Sequence, residues 1–422
     1  MHRTYLLFLN SIKPFAAAGA LGALLLIPAS AQINWTGGGD GVSWFDGANW
    51  SGGNVPTISD DVRLANGIAT PIVINDASTA QAASIRFQTN PAASSLDIQT
   101  DLTVTGNVQL STFASGQATQ GGASEVNVGQ SLIVRSRNVG TESFWILSDT
   151  ASLNVFNDLI IEQAGASNGS YVNQSGNTSV VVNDVLDVGS RASANGGFGY
   201  RMSGGTLTVN TVSGGGGAAP PGLGVGYDSA GAFEHTGGTV TVNNGGLAIG
   251  NRSAAAAAPN GTFFFADEAI LDVEGSVVLG STNSNETSGV GEFVVSGSGT
   301  GSIDVGGWNQ RADTLDGVGI LSLEVDLGGL FTIEVDGDVF FGLDSILQVT
   351  EIDGYVPMLN DTFTVMSWTG GVTNDGLFLD PASGWVYEIQ GNDLNITFVP
   401  EPTSAALLAG AAGLLALRRR RR

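Results

Sequence analysis

The stretch GGTLTVN at 204–210 returns as GGTVTVN at 237–243. Both copies alternate apolar and polar side chains. Alternate residues of a strand face opposite sides, so Leu207 and Val209 point one way and Thr206 and Thr208 the other. One such strand cannot bury its apolar side alone. A stack of copies buries a continuous column, which is how repeat architectures make a core.

The strand recurs on both sides of this pair. Leu153-x-Val155, Val180-x-Val182, Leu271-x-Val273 and Ile303-x-Val305 repeat its apolar pattern. An aromatic residue precedes each copy: Phe144, Tyr171, Phe198, Phe233, Phe263 and Phe293. A second element recurs as LDVGS from Leu186, LGVGY from Leu223, LAIGN from Leu247 and VLGS from Val278. A period of about 30 residues with strand alternation marks a β-solenoid. We expect an all-β chain with a right-handed parallel β-helix over 66–306. Loops at the turns, such as 214–221 and 254–259, account for the uneven period. A β-propeller blade has a similar period, but these units are too short and irregular for four strands each.

The chain has 422 residues, 62 of them glycine, with 42% hydrophobic and 13% charged residues. That apolar fraction supports a core and excludes a disordered chain. Cysteine is absent, which removes disulfides, thiol catalysis and cysteine-based zinc sites together. Formal net charge is −24, from 15 basic and 39 acidic residues. Nearly half of the basic residues lie at the ends, so residues 32–399 carry 8 arginines against 38 acids, near −30. Such a surface repels phosphate backbones and anionic lipid, so no nucleic-acid partner is expected. Cations, neutral or cationic glycans and other proteins are the partners it allows.

Arg3 and Lys13, the apolar run FAAAGALGALLLI at 15–27, and Ala29-Ser30-Ala31 form the three parts of a secretory signal peptide over 1–31, with a helix expected in its apolar part. Cleavage after Ala31 makes Gln32 the first mature residue. At the other end, Pro400-Glu401-Pro402 precedes an apolar run at 405–417 and then Arg418, Arg419, Arg420, Arg421 and Arg422. The run is shorter than the ~20 residues of a full span. The arginines hold such a tail on the cytoplasmic side.

This tripartite tail, 400–422, resembles the PEP-CTERM sorting signal. The resemblance implies a hydrophobic tail helix held transiently in the inner membrane and recognised by an exosortase-type processing enzyme. It implies cleavage near Pro-Glu-Pro and delivery of the body to the cell surface, in bacteria that make extracellular polysaccharide. The five arginines are then a temporary handle.

Two flanking modules carry further resemblances. Trp35, Trp44 and Trp50 cluster after the signal. Trp44, Asp46, Asn49, Trp50, Pro56 and Asp60 follow a Trp-x-Asp, Asn-Trp, Pro-x-x-x-Asp pattern. This is similar to the opening module of autotransporter-associated and PEP-CTERM surface proteins, and implies an N-terminal β cap over 32–65. Clustered tryptophans also suit a sugar-stacking platform. From Trp308 glycine thins and strands lengthen, at 321–327, 330–335, 346–352, 362–368, 386–389 and 394–399. With Val335-Asp336-Gly337-Asp338, Leu359-x-Asp361-x-Phe363 and Trp385-x-Tyr387, this part resembles the final module ahead of such sorting tails. It implies a C-terminal β domain over 307–399 that caps the solenoid, because an open end templates aggregation.

Residues for chemistry are few. The histidines are His2 and His235, and His235 in FEHTGG reads as a turn or surface position. No histidine-rich metal site or nucleophile elbow can be built. Basic residues of the repeats include Arg135, Arg137, Arg191, Arg201 and Arg252, with Asp184 and Asp187 near Arg191. Calcium is the one ion the acids suit, at Asp60-Asp61 or Asp336-Gly337-Asp338, though neither forms an EF-hand loop. Gly37-Gly38-Gly39-Asp40 and Gly297-x-Gly299-x-Gly301 read as turns. We assign no catalytic or metal residue and expect no cofactor.

The expectation is a structural or adhesive protein at the cell surface or in the extracellular matrix. Its partners would be extracellular polysaccharide or surface proteins. The alternative is a polysaccharide lyase or glycoside hydrolase on a β-helix. Its mark would be a cleft with two or three convergent acids and an arginine. A smooth face of Thr and Asn marks the structural role.

Overall fold

The computed structural model describes residues 31–399 except 65–69, 88–93, 111–114, 137–139, 164–167, 192–194, 196, 212–221, 227–229, 251–259, 281–288 and 311–316. The chain is all-β and folds as a parallel β-solenoid of about ten turns. The helical pieces among the described residues are short 3-10 turns at Gly47–Asn49 and Pro381–Ser383.

Each turn lays one strand on each of three faces. Asp60–Leu64, Ile72–Ile74 and Ala80–Ala82 make one turn, and Ser84–Phe87, Ser94–Ile98 and Leu102–Val104 the next. Through the repeats, strands pair in parallel with their counterparts one turn on. Val62 lies beside Ile85, and Ile85 beside Val108. Leu102 lies beside Val126, and Val126 beside Leu153. The second of these steps is longer in sequence than the first, so loop length varies without disturbing the register.

The recurrent motifs fall where alternation puts them. Leu153, Val180, Leu207, Val240, Leu271 and Ile303 form one buried, in-register column on the third face. Leu186, Leu223, Leu247 and Val277 form another on the first. The glycine closing that second motif turns the chain onto the next face. Gly250 has φ +64°, and a Cβ there would lie 2.2 Å from the Val290 carbonyl oxygen. Both facts require glycine.

The aromatic alignment holds in part. Phe144 and Tyr171 do pair, but they stack on the outer side of the second face, with centroids 5.2 Å apart. Phe198 does not continue this series. Tyr200 takes the interior position beside Phe233, and Phe263 and Phe293 follow. Successive centroids are 4.7, 4.9 and 5.2 Å apart with nearly parallel rings. A displacement of one residue exchanges the two sides of a strand, so a single aromatic series conceals two.

The parallel ladder runs on past 306. Val318–Val325 pairs with Ser345–Glu351, which pairs with Phe378–Leu379. The thinning of glycine after Trp308 therefore leaves the stacking unchanged, and the strands do not lengthen there: Val318–Val325 and Ser345–Glu351 are shorter than Gly231–Asn243 and Asn260–Leu279 before them. Closure comes from a hairpin, Trp385–Gln390 with Asp393–Phe398, laid antiparallel on Thr362–Trp368. At the other end, Ala31–Asn34 pairs with Asp60–Leu64, and Ser43 bridges to Val73. These additions cover strand edges that would otherwise present unpaired backbone groups.

The signal segment with Ala29, and the tail with Pro400, Glu401, Pro402 and Arg418 to Arg422, lie outside the described residues, as do the loops at 214–221 and 254–259. Ala31 and Gln32 lie in the first strand. No helix among the described residues is long and apolar enough to cross a membrane.

Candidate functional site

The third face presents an outward column of Thr103, Asn127, Asn154, Val181, Thr208 and Thr241, in register on successive strands. Strand spacing sets these side chains about 4.8 Å apart. They are tied to one another: Asn154 Nδ2 donates to Asn127 Oδ1 at 2.9 Å, and Asn127 Nδ2 to Glu125 Oε1 at 2.8 Å. A parallel ladder at the strand ends runs from Asn243 to Asn210 (2.8 Å) and from Asn210 to Asn183 (3.1 Å). Phe156 stands beside this column with 68% of its surface exposed. It borders an open cleft of about 290 Å³ that Thr103, Asn127 and Asn154 also line.

Further along, the same column turns acidic, through Asp272, Asp304 and Glu334. Burial, then the nearby Asp336 and Asp272 carboxylates, push the Asp304 carboxyl above its ordinary value. Among the described residues no arginine forms an ion pair with this run.

The arginines singled out in the sequence mostly tie turns together. Arg135 pairs with Glu162 across adjacent strands, and Arg201 with Glu234. The Arg201 guanidinium also lies over the Phe198 ring, 5.5 Å from its centroid. Arg191 donates to Thr262 Oγ1 at 2.8 Å. Arg137 and Arg252 lie outside the described residues. Asp60 and Asp61 are not in a turn but open the strand Asp60–Leu64, where Asp60 accepts from Thr57 and Asp61 from its cross-strand neighbour Ser84; Asp338 accepts from the Gly371 amide. Among the described residues, no three His, Cys, Asp or Glu side chains are grouped to hold a metal ion.

His235 is not at a turn or on the surface. It is fully buried, because its strand, Gly231–Asn243, runs straight on to a corner made at Gly237 and Gly238. Its Nε2 lies 3.1 Å from the Gly238 carbonyl oxygen, and Nδ1 has no partner. Burial pulls its pKa down to about 4. Two glutamines occupy the same column, in register through Leu147 and Met202. Gln120 and Gln174 each donate to carbonyls at this corner and accept from a ring one turn on, Trp145 Nε1 and Tyr200 Oη. His235 follows that pattern, but Phe263 has no donor to offer it.

The tryptophan cluster is interior. Trp35, Trp44 and Trp50 are at most 3% exposed and meet edge to face, with centroids 4.9 and 4.8 Å apart. No ring is presented to a sugar. Asn49 organises the loop over them: its Oδ1 accepts from the Gly39 and Gly41 amides, and its Nδ2 donates to Asp40 and to the Ser43 carbonyl. Asn49→Ala removes all four hydrogen bonds that this buried side chain makes. We expect it to cost about 3 kcal/mol, read as a lower urea midpoint with hydrogen exchange rising first over residues 35–50.

A second cleft, of about 280 Å³, lies on the first face near the N-terminal end. Arg63 and Arg86 line it from neighbouring strands, in register. The sequence reading passed over both. Their signal was the pair Val62-Arg63-Leu64 and Ile85-Arg86-Phe87, the same outward position one turn apart.

No family model, curated protein or solved structure matches the chain. The fold itself defines the class, a parallel β-solenoid. That fold carries structural and adhesive proteins and also enzymes.

Proposed function

We propose that the chain is an exported surface or matrix protein whose solenoid, right-handed in winding, holds extracellular polysaccharide along its third face. The observation that carries this reading is Phe156, an exposed aromatic beside a ladder of Asn and Thr. A pyranose ring stacks on such a face while amides and hydroxyls take its hydroxyl groups. In this reading the signal is cut after Ala31, and the tail after Pro400-Glu401-Pro402 is processed by an exosortase-type enzyme. An exported form that keeps Arg422 in its mass spectrum would sink the sorting proposal.

The test of binding is co-sedimentation of the purified full chain with the host's extracellular polysaccharide, while new chain ends are assayed with and without calcium. Binding without new ends is expected. Phe156→Ala is expected to weaken it about fivefold. Release of new ends would favour the second reading, a polysaccharide lyase or glycoside hydrolase. Asp304, with its raised carboxyl among other acids, is then the first residue to replace by Asn.

A further inference from the structure

Arg63 and Arg86 stand out electrostatically. Arg135 and Arg201 pair with carboxylates, and Arg191 is tied to Thr262. Arg63 and Arg86 form no ion pair among the described residues, in a chain of net charge −24. They are stacked where a strand ladder sets two side chains about 4.8 Å apart. Two planar guanidinium forks at that spacing suit one carboxylate held from both sides.

The surroundings suit a sugar. Gln32, Asn107 and Gln109 contribute amides to the cleft wall. Asp61, also on the wall, accepts from Ser84 Oγ at 2.6 Å. The cleft is open along the sheet. The outward column running from it passes through Gln109, Ile133 and Ile160 before it meets an acid, Asp187. The charge of the chain is also graded. Residues 32–141 hold 4 arginines and 8 acids, whereas 311–399 hold 1 and 15. Asp272 lies six turns from Arg86, roughly 29 Å along the axis. At physiological salt that exceeds three screening lengths of about 8 Å. The acidic end therefore does not repel an anion at this cleft.

We propose that the cleft between Arg63 and Arg86 binds the carboxylate of a uronic acid unit in an acidic polysaccharide. This rests on the glycan-binding reading above, and gives the solenoid a second, charge-selective subsite on a different face.

The test measures binding of the purified full chain to an oligogalacturonate and to its fully methyl-esterified form, which keeps the backbone and removes the charge. The wild type is expected to prefer the acid. Arg63→Gln with Arg86→Gln is expected to lower that affinity about tenfold or more and to leave the ester unchanged. Arg63→Lys with Arg86→Lys keeps the charge but not the fork, and should recover only part. The tail arginines are common to all variants and cancel. Unchanged melting curves check the fold. Equal binding of acid and ester, unaffected by either double variant, overturns the subsite and leaves the glycan reading standing. Failure to bind either oligomer overturns the subsite, and the co-sedimentation assay then decides the glycan reading separately. Self-association by light scattering that the Gln variant abolishes would assign the cleft to a second copy and also overturn the proposal.

Discussion

Phe263→Ala is expected to lower the stability of the solenoid by about 4 kcal/mol. Phe263 is fully buried and stacks between Phe233 and Phe293, at 4.9 and 5.2 Å. Truncation removes the ring from both contacts and leaves a cavity. The backbone ladders on either side prevent the neighbouring turns from closing it. In a stacked repeat each turn is stabilised by its neighbours, so the loss falls on one interface. Urea unfolding followed by circular dichroism should show a lower midpoint, with the single transition broadening or splitting. A change below about 1 kcal/mol would mean that the rings only accompany a core held by the aliphatic columns.

Acid should destabilise the protein through His235. The ordinary value of 6.5 applies when the chain is unfolded, and burial brings it to about 4 in the fold. Between those values the unfolded chain binds a proton and the folded chain does not. Stability is therefore complete above pH 6.5, falls as pH drops to about 4, and loses nothing more from this group below that. The difference corresponds to about 3 kcal/mol. Asp40, Asp326 and Asp361 are held below the ordinary carboxylate value by hydrogen bonds, so their losses come at lower pH. His235→Gln should remove this contribution. Glutamine already fills this column at 120 and 174, where it donates to a corner carbonyl of its own turn, Ser124 and Thr178, without titrating. Melting temperatures of both proteins at pH 7 and pH 4.5 decide it. Equal slopes would show that His235 does not carry the effect.

The third-face strands were legible because alternation and a near-identical repeat act together. Leu207 beside Val240, and Thr208 beside Thr241, follow directly from the quoted pair. The aromatic series was legible only in part, since Phe198 lies before the strand and packs by Phe264 and Arg201, while Tyr200, two residues on, is the interior ring. His235 was misread for a related reason. The glycine pair after it looks like the end of a strand, yet it is a corner within a continuous ladder, and the residues before it are interior. The change of texture at Trp308 is real, but composition reports how strands are dressed, and the pairing does not change there. The cleft needed Arg63 and Arg86 to be read as neighbours. That requires knowing the period of the first turns, which is shorter than the one visible in the middle of the chain.

The hydrogen bonds between turns run along the solenoid axis, and the described chain enters at one end and leaves at the other. A load applied between those ends would meet the ladders in series and peel them strand by strand. Shearing all bonds of a strand at once takes a high force; peeling takes a low one, repeated. A turn that lets go frees the chain between two ladder partners, from Leu102 to Val126 near one end or from Val339 to Val372 near the other. That is ~80 to ~110 Å of extended chain per step. Held between a cell and a surrounding gel, such a body would lengthen in stages under tension, and each retained turn would template the return of the next.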